Sequence, residues 1–156
     1  MNNDKPIKRS PHLIPLSREH HHALLLSWKI EMGFRKGIEP ARMKKYADWF
    51  YTHHLLPHFE MEETLVFPAL GAEHPLVQQA LQEHRRLVDL FTGNAPEADA
   101  MNAIGEELEK HIRFEERVLF NEIQAHATPE QLEAIGQHHT EDKFEENRED
   151  VFWEWQ

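Results

Sequence analysis

Two stretches of the chain repeat each other and decide its fold: HFEMEETLVF at residues 58–67 and HIRFEERVLF at residues 111–120. Each begins with a histidine, has a glutamate four residues later, and has a second glutamate directly after the first. Positions i and i+4 lie on one face of an α-helix, one turn apart. The spacing therefore predicts two helices, each of which presents a His–Glu pair on one face.

The side chains around these pairs predict which way they point. Apolar residues precede and follow both pairs at helical spacing: Leu55, Leu65, Ile104, Leu108 and Val118. The pairs are therefore expected to face the core. Glu63 and Glu116 are turned about 100° further round the helix. We expect them at the surface or in the layer of side chains around the pairs.

A fainter repeat occurs on two other segments. Glu19 and His20 open one apolar stripe, and Glu83 and His84 open another. The chain thus alternates a helix that carries one histidine with a helix that carries HisxxxGlu, twice over. On the first helix His21 is the alternative candidate to His20. The apolar residues Leu24, Leu25 and Trp28 follow His21 at helical spacing.

Buried glutamates favour a metal centre over an apolar or merely polar core. Two ionised carboxylates beside apolar side chains are strongly disfavoured unless they are paired or bound to metal. Neither face places a Lys or Arg in register with them. Two divalent ions, with a bridging oxo or hydroxo group, would balance the charge. The predicted ligands are His20, His58, Glu62, His84, His111 and Glu115. Nitrogen and oxygen ligands without sulfur suit iron, manganese or zinc.

Prolines, glycines and capping residues predict an all-α chain. We expect an irregular lead-in over residues 1–15 and short connections between antiparallel helices, as in an up-down-up-down four-helix bundle. A fifth helix is expected after Thr128-Pro129, continuing through the acidic stretch to about residue 153. The chain is predicted to be one domain, 1–156, with the bundle core at about 13–127. The predicted helices cover about 17–36, 40–70, 75–93, 96–127 and 129–153.

Composition excludes several classes of partner. The formal net charge is −11, so nucleic acid and anionic membrane surfaces are poor partners. The absence of cysteine excludes disulfides and thiolate metal sites. With no apolar stretch resembling a signal peptide or a membrane span, we expect a cytoplasmic protein. The 13 histidines are a large number for 156 residues and favour metal binding.

Three features leave alternatives open. His54 lies one turn before His58, where it could be a ligand, a donor to a ligand or, as we favour, a partly buried histidine. Pro57 predicts a helix kink beside His58, either merely tolerated or opening a path to the metal. The C-terminal aromatic residues are expected either to dock on the bundle or to form a homodimer contact: Val151, Phe152, Trp153 and Trp155. His138 and His139 are predicted at the surface.

The order of these elements resembles the hemerythrin-like (HHE cation-binding) domain family over roughly residues 13–125. That family is characterised by His, HisxxxGlu, His, and HisxxxGlu or HisxxxxAsp on four successive helices. The resemblance implies a hemerythrin-like bundle with two iron ions. Oxygen-carrying members have HisxxxHis on the third helix, whereas Val88 follows His84 here. This departure argues against reversible oxygen carriage.

Three functions are consistent with these features. The first is a non-haem di-iron protein that binds or senses oxygen, nitric oxide, peroxide or iron. The second is an enzyme that reduces peroxide or nitric oxide with the same centre. The third is a metal-free structural or interaction bundle. We favour the first, because no catalytic acid or substrate pocket can be named from the residues.

Overall fold

The computed structural model describes residues 8–139 and 144–154, which contain helices and no strand. The all-α prediction is therefore confirmed over that part of the chain. None of its helices is both long enough and apolar enough to cross a membrane. Its helices are α1 (Ile14–Arg35), α2 (residues 40–69), α3 (Pro75–Thr92), α4 (residues 97–126) and α5 (Pro129–His138).

Local sequence signals fix most helix starts. Pro40, Pro75 and Pro129 each begin a helix, since the missing N–H of proline costs nothing there. Thr128 and Gln131 form a capping box at the predicted start of α5. The predicted start of α1 at Ser17 is wrong: the helix begins at Ile14. Ser17 is instead a helical residue whose hydroxyl donates to Glu116.

π-helical turns interrupt α2 and α4 without ending them. They span Tyr51–Leu55 and Glu62–Val66 in α2 and Glu115–Leu119 in α4. A π turn contains one extra residue and so rotates the side chains that follow it. Pro57 is the second residue of Leu56–Met61, the α-helical segment that follows the first of these turns.

The π turns overturn one expectation about the core. Leu65 and Val118, each three residues after a site glutamate, were expected on the buried face. Leu65 is only partly buried, and Val118 is 44 % exposed. The buried positions lie one and two residues later: Val66, Phe67, Leu119 and Phe120. The π turns Glu62–Val66 and Glu115–Leu119 each begin at the site glutamate itself, so the apolar face is displaced by one residue.

The C-terminal segment does not continue as a helix. Helix α5 ends at His138, and residues 144–154 are irregular, so the prediction of a helix to about 153 is wrong; residues 140–143 lie outside the described part. Glu146 pairs with Lys29 and Asp150 with Arg42, which relieves the like-charge repulsion that a helix would impose. Phe152 and Trp153 are buried on the bundle, whereas Trp155 is not among the described residues.

Packing places a polar layer between two apolar cores. Helix α4 contacts α1, α2 and α3, and α1 also contacts α2. One apolar cluster includes Leu55 and Leu108, and the other includes Val66 and Leu119. The histidines and glutamates of the predicted site lie on the intervening turns. The bundle thus holds these polar side chains between two layers that exclude water.

Candidate metal centre

All six predicted site residues come together in the polar layer. Their exposed fractions are 0 % for both glutamates and between 1 % and 4 % for the four histidines. Helix α1 supplies His20, α2 supplies His58 and Glu62, α3 supplies His84, and α4 supplies His111 and Glu115. The structure therefore assembles the four separated sequence elements into one site.

One half of the site joins α1 and α2. His20 Nε2 lies 3.5 Å from Glu62 Oε2 and 2.8 Å from Glu115 Oε1. His58 Nε2 lies 3.3 Å from Glu62 Oε2. Two imidazole nitrogens and one oxygen of each glutamate therefore face a common point.

The other half joins α3 and α4 in the same way. His84 Nε2 lies 3.2 Å from Glu62 Oε1 and 3.5 Å from Glu115 Oε2. His111 Nε2 lies 3.2 Å from Glu115 Oε2. Each carboxylate thus directs one oxygen to each half, which is the arrangement of a carboxylate that bridges two ions.

The spacing of the ligand atoms fits two cations. In each half, the four ligand atoms lie within 4.8 Å of one another. Metal–ligand bonds of about 2.1 Å would place neighbouring donor atoms about 3.0 to 3.4 Å apart. The four Nε2 atoms and four carboxylate oxygens have no hydrogen-bond partner among the described residues, although they approach one another closely. A cation in each half would satisfy these buried atoms.

Four further glutamates orient the imidazoles. Glu116 accepts from His20 Nδ1 at 2.8 Å, and three others accept at 2.7 Å from the remaining histidines. The latter pairs are Glu19–His58, Glu63–His84 and Glu83–His111. A carboxylate on Nδ1 holds its proton there and leaves the Nε2 lone pair for a metal. The two halves are therefore duplicated in this outer layer as well.

Only part of the outer layer could be predicted from the sequence. Glu63 and Glu116 were expected at the surface or around the site, and they lie around it, with side chains 42 % and 29 % exposed. Glu19 and Glu83 directly precede His20 and His84 in the sequence, but the sequence pattern did not predict that their carboxylates would hold site histidines. Each holds the histidine of a different helix, and their position beside a site histidine is the one sequence signal that marks them.

Burial and charge act in opposite directions on the metal-free site. Burial favours neutral His58, but Glu62 and Glu19 outweigh it and raise its pKa to about 9. Burial likewise opposes ionisation of Glu115, yet His111 and the other site histidines keep its pKa well below the usual range. Without metal, the layer would hold protons on imidazoles and negative charge on carboxylates.

The remaining histidines divide clearly. His21, the substitute for His20, is exposed, because its neighbours Leu24 and Leu25 are only partly buried and Trp28 is 46 % exposed. His54 is partly buried against the rings of Phe50 and Phe144 and lies outside the group that could hold metal.

The two histidines at the end of α5 differ. His138 is exposed, as expected. The prediction that His139 lies at the surface is wrong. Its side chain is 14 % exposed, and its Nε2 lies 3.0 Å from Glu19 Oε2. This contact links α5 to the carboxylate that holds His58.

No protein-family model, curated protein or solved structure matches this chain. The resemblance to hemerythrin-like domains therefore stays a prediction from its four sequence elements.

Proposed function

We propose that this protein holds a dinuclear metal centre, with two iron ions as its native metals, in an up-down-up-down hemerythrin-like bundle formed by α1–α4. The observation that carries the proposal is the division of Glu62 and Glu115 between two His pairs, one oxygen to each half. Such bridging suits ions about 3.5–4 Å apart. The six residues His20, His58, Glu62, His84, His111 and Glu115 would be the protein ligands.

The ligand number bears on the choice of metal. Two imidazoles and two carboxylate oxygens would saturate zinc, which is usually four-coordinate in structural sites. Non-haem iron with histidine and carboxylate ligands commonly keeps open positions, where a small molecule can bind. A pair of iron ions therefore suits the binding or sensing of oxygen, nitric oxide or peroxide, and the same site could report on iron itself.

Charge supports the exchange of protons for metal. Four imidazolium protons and two divalent ions carry the same total charge, so loading would leave the charge of the buried layer unchanged. The outer glutamates would keep the Nδ1 protons in both states.

Metal analysis together with an absorption spectrum tests the proposal. We expect about two iron ions per chain and the absorption of an oxo- or hydroxo-bridged ferric pair, whereas zinc is silent. A fully folded chain without metal, purified from iron-supplied cells and unable to take up ferrous iron, would overturn it. Sustained turnover of peroxide or nitric oxide would instead identify an enzyme.

A further inference from the structure

A cavity of about 320 Å³ lies directly beside one half of the centre. Its wall includes His58 and the glutamate that holds it, Glu19. Five further imidazoles line it, and we call this cavity the imidazole vestibule: His22, His53, His54, His138 and His139. Imidazole and carboxylate are the ligand types of the centre itself, so the vestibule offers metal-binding groups along its wall.

Contacts connect the vestibule wall to the site. His139 Nε2 lies 3.0 Å from Glu19 Oε2, and Glu19 Oε1 lies 2.7 Å from His58 Nδ1. The other nitrogen of His58 faces Glu62 in the centre. An ion held by Glu19 and His139 would thus be separated from the centre by a single imidazole ring.

The vestibule also connects outward. His53 and His54 line both the vestibule and a neighbouring, more open groove on the surface. The groove carries three glutamates against two basic side chains: Glu145, Glu146, Glu149, Lys45 and Arg148. The two histidines therefore stand where an acidic groove meets the interior cavity.

Two other hollows reach site histidines, but each has only that one histidine in its lining. The lining of the hollow at His84 combines Arg85 with Glu60, Glu63 and Asp89, and that of the hollow at His111 combines Arg86 and Lys110 with Glu83 and Glu107. The described lining of the vestibule contains neither Lys nor Arg. Neutral imidazole is the commonest metal ligand. The vestibule has six histidines in its described lining, counting His58, so it offers a divalent ion more imidazole ligands on the way to the centre than either of the other hollows.

We propose that the imidazole vestibule is the access route and transient binding site for divalent metal ions that load the centre. The ion passes from the groove to His53 and His54, and then to Glu19 and His139 beside His58. The inference rests on the proposed function, because the site ligands are at most 4 % exposed and an ion needs a path to reach them.

Loading kinetics of the full-length, metal-free protein test this route. Cobalt(II) is the probe, since its visible absorption reports its coordination by the protein. The double variant His53→Gln/His54→Gln is expected to load about tenfold more slowly, the low end of focusing effects on association. It should still bind two ions at equilibrium. The control His126→Gln removes an exposed histidine that lines neither the vestibule nor the groove and should load at the wild-type rate.

A second variant covers the case in which the double variant does not fold. His53→Lys places a positive charge at an exposed position where the vestibule meets the groove. It should also slow loading. Unchanged loading in the folded vestibule variants overturns the route. So does faster loading in Arg86→Gln/Lys110→Gln, which would place access beside His111. If wild-type protein binds no cobalt at equilibrium, the proposed function fails instead.

Discussion

The two halves of the centre are alike where they meet and different where they meet the rest of the molecule. His20 and His58 on one side and His84 and His111 on the other face the same two carboxylates at 2.8 to 3.5 Å. Each of the four also donates to an outer glutamate. The repeat of His and HisxxxGlu along the chain accounts for the duplicated geometry.

The outer layer differs between the halves. Glu116, which holds His20, receives a hydrogen bond from Ser17 and lies 3.8 Å from Arg9. Its counterpart Glu63, which holds His84, is 42 % exposed. The inner six residues thus follow the repeated sequence elements, whereas the support of each histidine and the access to it depend on the local packing of each helix.

Removing a bridging glutamate should have the largest effect, because it breaks both halves at once. We expect Glu62→Ala or Glu115→Ala to bind almost no metal, whereas His84→Ala should leave about one ion, in the His20–His58 half. Metal content after dialysis measures the difference. Retention of one tightly bound ion by both glutamate variants would contradict the bridging role.

The displaced apolar face gives the next largest effect. Leu119→Ala removes a side chain that is 0 % exposed and should cost about 2–5 kcal/mol of unfolding free energy. Val118→Ala should stay within about 0.5 kcal/mol, because Val118 is 44 % exposed. Denaturant unfolding of the metal-free protein compares them. Val66→Ala and Leu65→Ala repeat the test on α2. Equal losses of unfolding free energy within both pairs of variants would contradict the displacement of the apolar face by the π turns.

Substitution of an outer carboxylate should weaken metal binding to a different extent in the two halves. Glu116→Gln is expected to weaken metal binding by about 10–100-fold, because it loosens a buried histidine ligand. The more exposed Glu63 has weaker support, so Glu63→Gln should have a smaller effect. Competition with a chelator of known affinity measures both. A larger loss in Glu63→Gln would reverse the proposed difference in support.

Proton release should be the property in which the halves differ least. In the metal-free protein the pKa of His58 is raised to about 9, and the carboxylates raise that of His111 as well. Metal must displace these protons, so affinity should increase as pH rises from about 6.5 to 9, with about two protons released per ion near neutral pH. Titration calorimetry in buffers of different ionisation enthalpy counts them. Binding that is independent of pH over this range would contradict the exchange.

The raised pKa of His58 also makes the stability of the metal-free protein depend on pH. A histidine whose pKa is raised by folding stabilises the folded state fully below its unfolded value, about 6.5. For His58 this contribution is lost as pH rises to about 9. The free energy of unfolding without metal should therefore fall across this range. Stability that instead rises there would show that the site histidines are neutral in the metal-free state.

Much of the fold and of the candidate site could be predicted because helical order is local. Pro40, Pro75 and Pro129 mark helix starts through their own backbone chemistry. HisxxxGlu lies on one helix, so its shared face follows from the spacing alone. The cost of burying two glutamates then indicated that the separated elements meet.

Local spacing is therefore sufficient to predict the helical class and a set of six residues that the structure brings together. Tertiary packing decided the rest. Glu19 and His58 are 39 residues apart, and His20 and Glu116 are 96 apart, so no periodicity within one helix relates them. The C-terminal segment, residues 144–154, is irregular, and its Phe152 and Trp153 are buried on the bundle. These outcomes depend on contacts between distant segments, which form only once the helices pack together.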